Sequence, residues 1–277
     1  MARYQASERE ARYRKAREWG LPPVVTEGDS WFSYELYLNL VDRFDDTKRF
    51  ALKRLESSGD TVARMVGTST GASGIRALKK VVQVERPIFL FFSGGGNDIV
   101  GSELRGAILP FNPQRNPENY LDPAKWGALV DGIRRAYQVL VDEIGPICPV
   151  FAHGYDYFVP SNREVKIFPG VPGPGPWVWP EMTRVGVVDP ELQRGIGRAM
   201  IDQFNDDVLA RLEKANAGYF AHVDLRGTLD PDRDWQNEIH ATRKGFEKLA
   251  KRFLSIVDAR LPGVRTARAA RLGGTIA

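Results

Sequence analysis

Short apolar runs, each breaking off into a polar, glycine-bearing segment, recur along the chain. Pro23 to Thr26 leads into Glu27-Gly28-Asp29-Ser30. Phe50 to Leu55 leads into Ser57-Ser58-Gly59-Asp60, and Pro87 to Phe92 into Ser93-Gly94-Gly95-Gly96-Asn97-Asp98. Cys148 to Ala152 leads into His153-Gly154-Tyr155-Asp156, and Tyr219 to Val223 into Asp224-Leu225-Arg226-Gly227. The run PIFLFF is apolar without alternation, as in a strand covered on both faces. Between the runs the period changes. Trp126 to Ile144 and Leu192 to Leu212 read as helices. Phe246, Leu249, Ala250, Phe253, Leu254 and Val257 fall on one face of a last helix, opened by Thr242 as a cap.

Five strands alternating with helices predict an α/β, flavodoxin-like, doubly wound parallel sheet with helices on both faces, a three-layer α/β/α body. Ligands in such sheets bind beyond the carboxyl ends of the strands, where all five polar segments fall. The expected organisation is a charged helical extension over 1–21, one domain over 22–261 and a basic tail over 262–277. The segment 168–180 (FPGVPGPGPWVWP), with five prolines and three glycines, predicts no regular element. It follows the fourth strand, so it either overhangs the active edge or crosses the surface as a stiff strap.

Only three histidines are present, so the search for a base is short. His222 lies inside a strand run and reads as a hydrogen-bonded core residue. His153 stands at a strand end and could line a pocket. His240, in a loop just ahead of the last helix, is best placed to move a proton. Two serines compete as nucleophile. Ser69, in Gly67-Thr68-Ser69-Thr70-Gly71, fits the G-x-S-x-G pattern, but no strand precedes it and no glycine-rich loop lies upstream. Ser30, at a strand-to-helix turn, is favoured.

Gly28-Asp29-Ser30, Ser58-Gly59-Asp60-Thr61, Gly95-Gly96-Asn97-Asp98 and a histidine about 40 residues from the end occur in one order. In this the chain resembles the SGNH (GDSL-type) hydrolases over roughly residues 22 to 258. The resemblance implies a serine-dependent hydrolase of carboxylic esters that needs no cofactor. Ser30 would attack the ester carbonyl and His240 would take its proton. The oxyanion would be met by the backbone N–H of Ser30, the backbone N–H of Gly59 and the side-chain amide of Asn97, while Asp29 and Asp98 brace the loops. The sequence departs from the family at one point: the usual aspartate three residues before the histidine is Asn237. Asp234 reaching in, Asn237 itself in an effective dyad, or Glu238 could orient the ring. Asn237 or a dyad is preferred to Asp234.

Trp31, His153, Tyr155, Trp177 and Trp179 are candidate pocket walls and favour an acyl or aryl ester, with a lipid or carbohydrate body. If His240 is the base at its ordinary pKa of about 6.5, activity falls below that pH. A net charge of +4, with arginines gathered at both ends, gives no basic aromatic stripe for nucleic acid. Neither G-x-G-x-x-G nor a P-loop is present, and one cysteine with three scattered histidines offers no metal cluster. No long apolar run predicts a membrane span or leader, and the expectation is cytoplasmic. A catalytically idle binding module on the same fold is the competing reading.

Overall fold

The computed structural model describes residues 6–34, 38–67, 74–163, 166–168, 171–172 and 175–271. Ser69 lies outside them. The central strands are β1 (Pro23–Gly28), β2 (Ala51–Arg54), β3 (Phe89–Ser93) and β4 (Val150–Gly154). A small antiparallel pair, β5 (Lys166–Phe168) and β6 (Val171–Pro172), precedes β7 (Phe220–Asp224). The helices are α1 (Ala6–Glu18), α2 (Leu40–Asp46), α3 (Val62–Met65), α4 (Gly74–Glu85), α5 (Pro123–Ile144), α6 (Trp179–Arg184), α7 (Pro190–Gln203), α8 (Arg211–Ala215) and α9 (Arg243–Arg271).

The five long strands form one parallel sheet in the order β2-β1-β3-β4-β7. Order 2-1-3-4-5 for successive strands is the flavodoxin-like winding anticipated from the alternation. Strand β3 shows why its apolar run has no polar alternation. Phe91 points to one helical layer, with ring centroids 5.2 Å from Phe44 of α2 and 4.8 Å from Phe253 of α9. Phe92 points to the other, 5.4 Å from Tyr137 of α5. Both faces are therefore covered and every residue of the strand is buried.

Three expectations need correction. Segment 168–180 holds regular structure at its ends, the β5–β6 pair and the start of α6, because Pro180 sits at a first-turn position where its missing N–H costs nothing. The basic tail does not begin at 262: α9 runs through Pro262 to Arg271. Packing holds it there, with Val264 buried and the Arg268 guanidinium on the Gly145 and Pro146 carbonyls. The helix expected over 192–212 is broken into α7, a π-helical turn (Phe204–Ala210) and α8. That turn drives Asn205 against Gly154, where an added Cβ would lie 1.9 Å from the amide oxygen, and onto His222 Nε2 at 2.8 Å. His222 is accordingly a buried, hydrogen-bonded core residue, as anticipated. Among the described residues no helix is long and apolar enough to cross a membrane.

Candidate active site

The carboxyl end of β1 carries the turn that presents Ser30. Gly28 lies so close to β3 that a Cβ there would sit 2.6 Å from Ser93 Cβ, so glycine is required. Asp29 N–H donates to the Ser93 carbonyl, and Phe32 and Ser33 N–H close the turn on the Asp29 carbonyl. His240 approaches from a loop between β7 and α9. That loop is closed on itself: Trp235 bridges Ala241, Gln236 N–H donates to the His240 carbonyl, and Thr242 N–H donates to the Asp234 carbonyl. Thr242 Oγ1 then accepts from Gly245 N–H, the cap expected for α9.

Ser30 Oγ and His240 Nε2 are 2.8 Å apart, although 210 residues separate them. The other ring nitrogen, Nδ1, is 3.1 Å from Asn237 Oδ1. The same oxygen accepts from Ile239 N–H at 3.1 Å and His240 N–H at 2.9 Å. Two backbone donors fix which end of the amide faces the ring, so Nδ1 must carry the proton and Nε2 is left with its lone pair toward Ser30. Tyr34 stacks on the imidazole at 4.0 Å and 10°, and Trp177 meets it edge-on at 5.4 Å. The ring is 2% exposed. Burial without a carboxylate partner pushes its pKa down from 6.5 to about 3. Protonation of this ring thus falls far to the acid side of the ordinary imidazole value of about 6.5.

Asp234 does not reach the ring. Its Oδ2 is taken by Lys248 Nζ at 2.5 Å and Asp230 N–H at 2.8 Å. These contacts, set against burial, leave its pKa below the usual value. Glu238 does not orient the ring either: its carboxylate accepts the N–H groups of Trp177, Val178 and Trp179.

The segments after β2 and β3 are tied together. Asn97 Nδ2 donates to the Asp60 carbonyl at 2.9 Å, and Asp98 Oδ2 accepts Val62 N–H at 2.9 Å at the start of α3. One N–H of the Asn97 amide remains for another acceptor. Gly59 has φ +83° in an exposed turn, and neither its N–H nor that of Ser30 has an acceptor among the described residues. Asp29, 2% exposed, braces the turn from below. It accepts from Ser93 Oγ, Trp31 N–H and the Tyr155 hydroxyl, and that hydroxyl in turn accepts Gly96 N–H at 3.0 Å. Burial drives the Asp29 pKa up and those donors oppose the rise.

An apolar cleft adjoins Ser30. Trp31, Tyr155, Asn97, Ile99, Val100, Phe158, Ile201 and Ile239 form its walls. Trp31 and Tyr155 line this cleft. His153 does not: it is fully buried beneath the site, stacked on Trp31 and joined to Ser93 Oγ at 2.9 Å, with burial lowering its pKa to about 3. Its position on the last turn of a fully covered strand explains the difference. Gly59, Trp177 and Trp179 are not cleft walls, and Trp177 covers the base instead. Tyr34, four residues beyond Ser30, escaped the sequence reading because nothing local marks an aromatic ring as the base's stacking partner. Among the described residues no cluster of three His, Cys, Asp or Glu side chains is placed to hold a metal ion.

No protein-family model and no curated protein matches the chain. Solved structures do. One is the N-terminal part of the protein BF1531 from Bacteroides fragilis, containing a phosphatase domain complexed with Mg. It shares 12% identity at a TM-score of 0.47, over 91% of this chain and 57% of that one, so the chain spans little more than half its length. A Clostridium thermocellum family 3 carbohydrate esterase shares 16% identity at a TM-score of 0.43, over 88% and 99%. A member of the lipolytic protein G-D-S-L family from Veillonella parvula shares 11% at 0.44, over 85% and 98%.

Proposed function

We propose that this chain is a serine-dependent hydrolase of carboxylic esters of the SGNH (GDSL) kind. The observation that carries the reading is the 2.8 Å approach of His240 Nε2 to Ser30 Oγ, with the opposite ring nitrogen held by Asn237. The Ser30 hydroxyl is a poor nucleophile until a base accepts its proton as the bond to the carbonyl carbon forms. His240 takes that proton, passes it to the departing alcohol, then takes a proton from the water that attacks the acyl-enzyme and returns it to Ser30 Oγ as the acid leaves. The free N–H groups of Ser30, Gly59 and Asn97 are the donors for the oxyanion, each worth a factor of about 10² to 10³ in rate in comparable sites. Asn237 keeps the productive tautomer but adds no charge to steady the imidazolium, so the machinery works as a dyad with an orienting amide. Asp29, Tyr155 and Ser93 hold the geometry without exchanging protons with substrate.

The apolar walls favour an acyl or aryl ester substrate. Hydrolysis of a short p-nitrophenyl ester, with covalent labelling by a fluorophosphonate, tests the assignment. Wild-type protein is expected to react at Ser30, and Ser30→Ala to lose both signals while Ser69→Ala keeps them. Wild-type protein that binds ester without labelling would instead be the idle module.

A further inference from the structure

Glu238 takes no part in the steps above, yet it is fully buried and its carboxylate is spent on another segment. Oε2 accepts Trp177 N–H at 2.6 Å and Val178 N–H at 2.8 Å, and Oε1 accepts Trp179 N–H at 2.6 Å. The Trp177 carbonyl is fixed from the opposite side by Gly101 N–H at 3.1 Å. The segment so gripped brings the Trp177 ring against the imidazole of His240 in a T-shaped contact, beside the stacked ring of Tyr34.

The two covers differ in origin. Tyr34 belongs to the nucleophile's own turn, whereas Trp177 comes from a distant segment and is held by a residue two positions before the base. The groups bonded to Glu238 are backbone N–H donors at Trp177, Val178, Trp179 and Ser161. Those against the imidazole are Ser30, Tyr34, Asn237 and Trp177, none of them charged. The basicity of His240 is therefore governed by its exclusion from water, not by a neighbouring charge.

We propose that Glu238 is a positioning residue that seats Trp177 on His240 and so keeps water from the base. The inference rests on Ser30 and His240 being nucleophile and base, but its test reads the imidazole directly. Glu238→Gln replaces one acceptor oxygen with an N–H₂ group facing N–H donors, which frees Trp177. Trp177→Ala removes the cover and leaves Glu238 in place.

The histidine Cε1 proton resonances of wild type and both variants are followed from pH 5 to 8, with His240→Gln identifying the signal. Wild-type His240 is expected to stay neutral and its signal still. In both variants the signal is expected to titrate inside that window, and the acid limb of kcat/KM to rise by about two units or more toward the ordinary imidazole value, with KM little changed. A His240 signal that stays still in Trp177→Ala overturns the proposal. So does one that titrates in Trp177→Ala but not in a folded Glu238→Gln, or a loss of melting temperature alone. If Glu238→Gln fails to fold, Trp177→Ala decides. Absence of ester cleavage and of Ser30 labelling in wild type sinks the esterase reading and leaves the titration result standing.

Discussion

Asn237→Asp places a charge where the structure has only an orienting amide. The new carboxylate keeps the acceptor position that holds Ile239 N–H, His240 N–H and His240 Nδ1, so the geometry survives the exchange. Its second oxygen can accept the Tyr34 hydroxyl in place of the 3.4 Å amide contact. Two unit charges about 4 Å apart interact by about 4 kcal/mol at an effective dielectric of 20, equal to about 3 pK units. Burial of the new carboxylate opposes part of this, because position 237 is only 2% exposed. A rise of about 1 to 3 units is the usual result for such a pair. Starting from about 3, His240 should then titrate in the range of about 4 to 6. The assay is kcat/KM for a p-nitrophenyl ester from pH 4 to 9. Wild type is expected to show no acid limb above about pH 4. The variant should show one, with a plateau at neutral pH about tenfold or more higher, because the imidazolium formed during proton transfer gains a counter-charge. A variant with the wild-type limb and plateau would refute the reasoning. So would a wild-type limb near 6.5, since the imidazole would then not be shut off from water as the structure has it.

Other outcomes separate the remaining roles. Asn97→Ala should lower kcat about 10² to 10³-fold with little change in KM, and an unchanged kcat in a folded protein would remove Asn97 from the oxyanion site. Asp234→Asn should cost about 1 kcal/mol in urea unfolding through the loss of the Lys248 pair, and leave the pH profile where it is; a displaced acid limb would make Asp234 a partner of the base after all. Folding stability should fall as pH drops below 6.5. His153, His222 and His240 resist protonation when folded, with pKa values of about 3, 4 and 3, while the unfolded chain takes up their protons near 6.5. Each contributes about 1.4 kcal/mol per pH unit of loss. Glu27 and Asp98, raised by burial to about 8 and 6, oppose this down to the ordinary carboxyl range. The decline should therefore steepen below about pH 4.5, and a urea midpoint that holds level from pH 6.5 to 4 would contradict it.

Much of the molecule is written in local pattern. Each of the five strands stands where its apolar run stood, because a strand covered on both faces needs an unbroken apolar stretch, and Phe89 to Phe92 supply one. The approach of Ser30, Asn97 and His240 to one sheet edge follows from the parallel winding, which gathers the carboxyl ends of all strands on one side. The substitution at 237 was legible from spacing alone. What needed the fold was everything set by distant contact. Asp234 and Asn237 are both within reach of His240 along the chain, and Lys248 decides between them by capturing the aspartate. His153 looked like a pocket wall until the stacking of Trp31 above it sealed it off. Glu238 carried no sign that its partners were backbone amides some sixty or more residues away, and nothing near His240 in sequence announced Tyr34 or Trp177 against its ring. Periodicity and turn chemistry act over a few residues, so the chain alone fixes elements and their order. The basicity of the imidazole and the partner of each buried carboxylate depend on exclusion of water and on neighbours brought together only when the layers close.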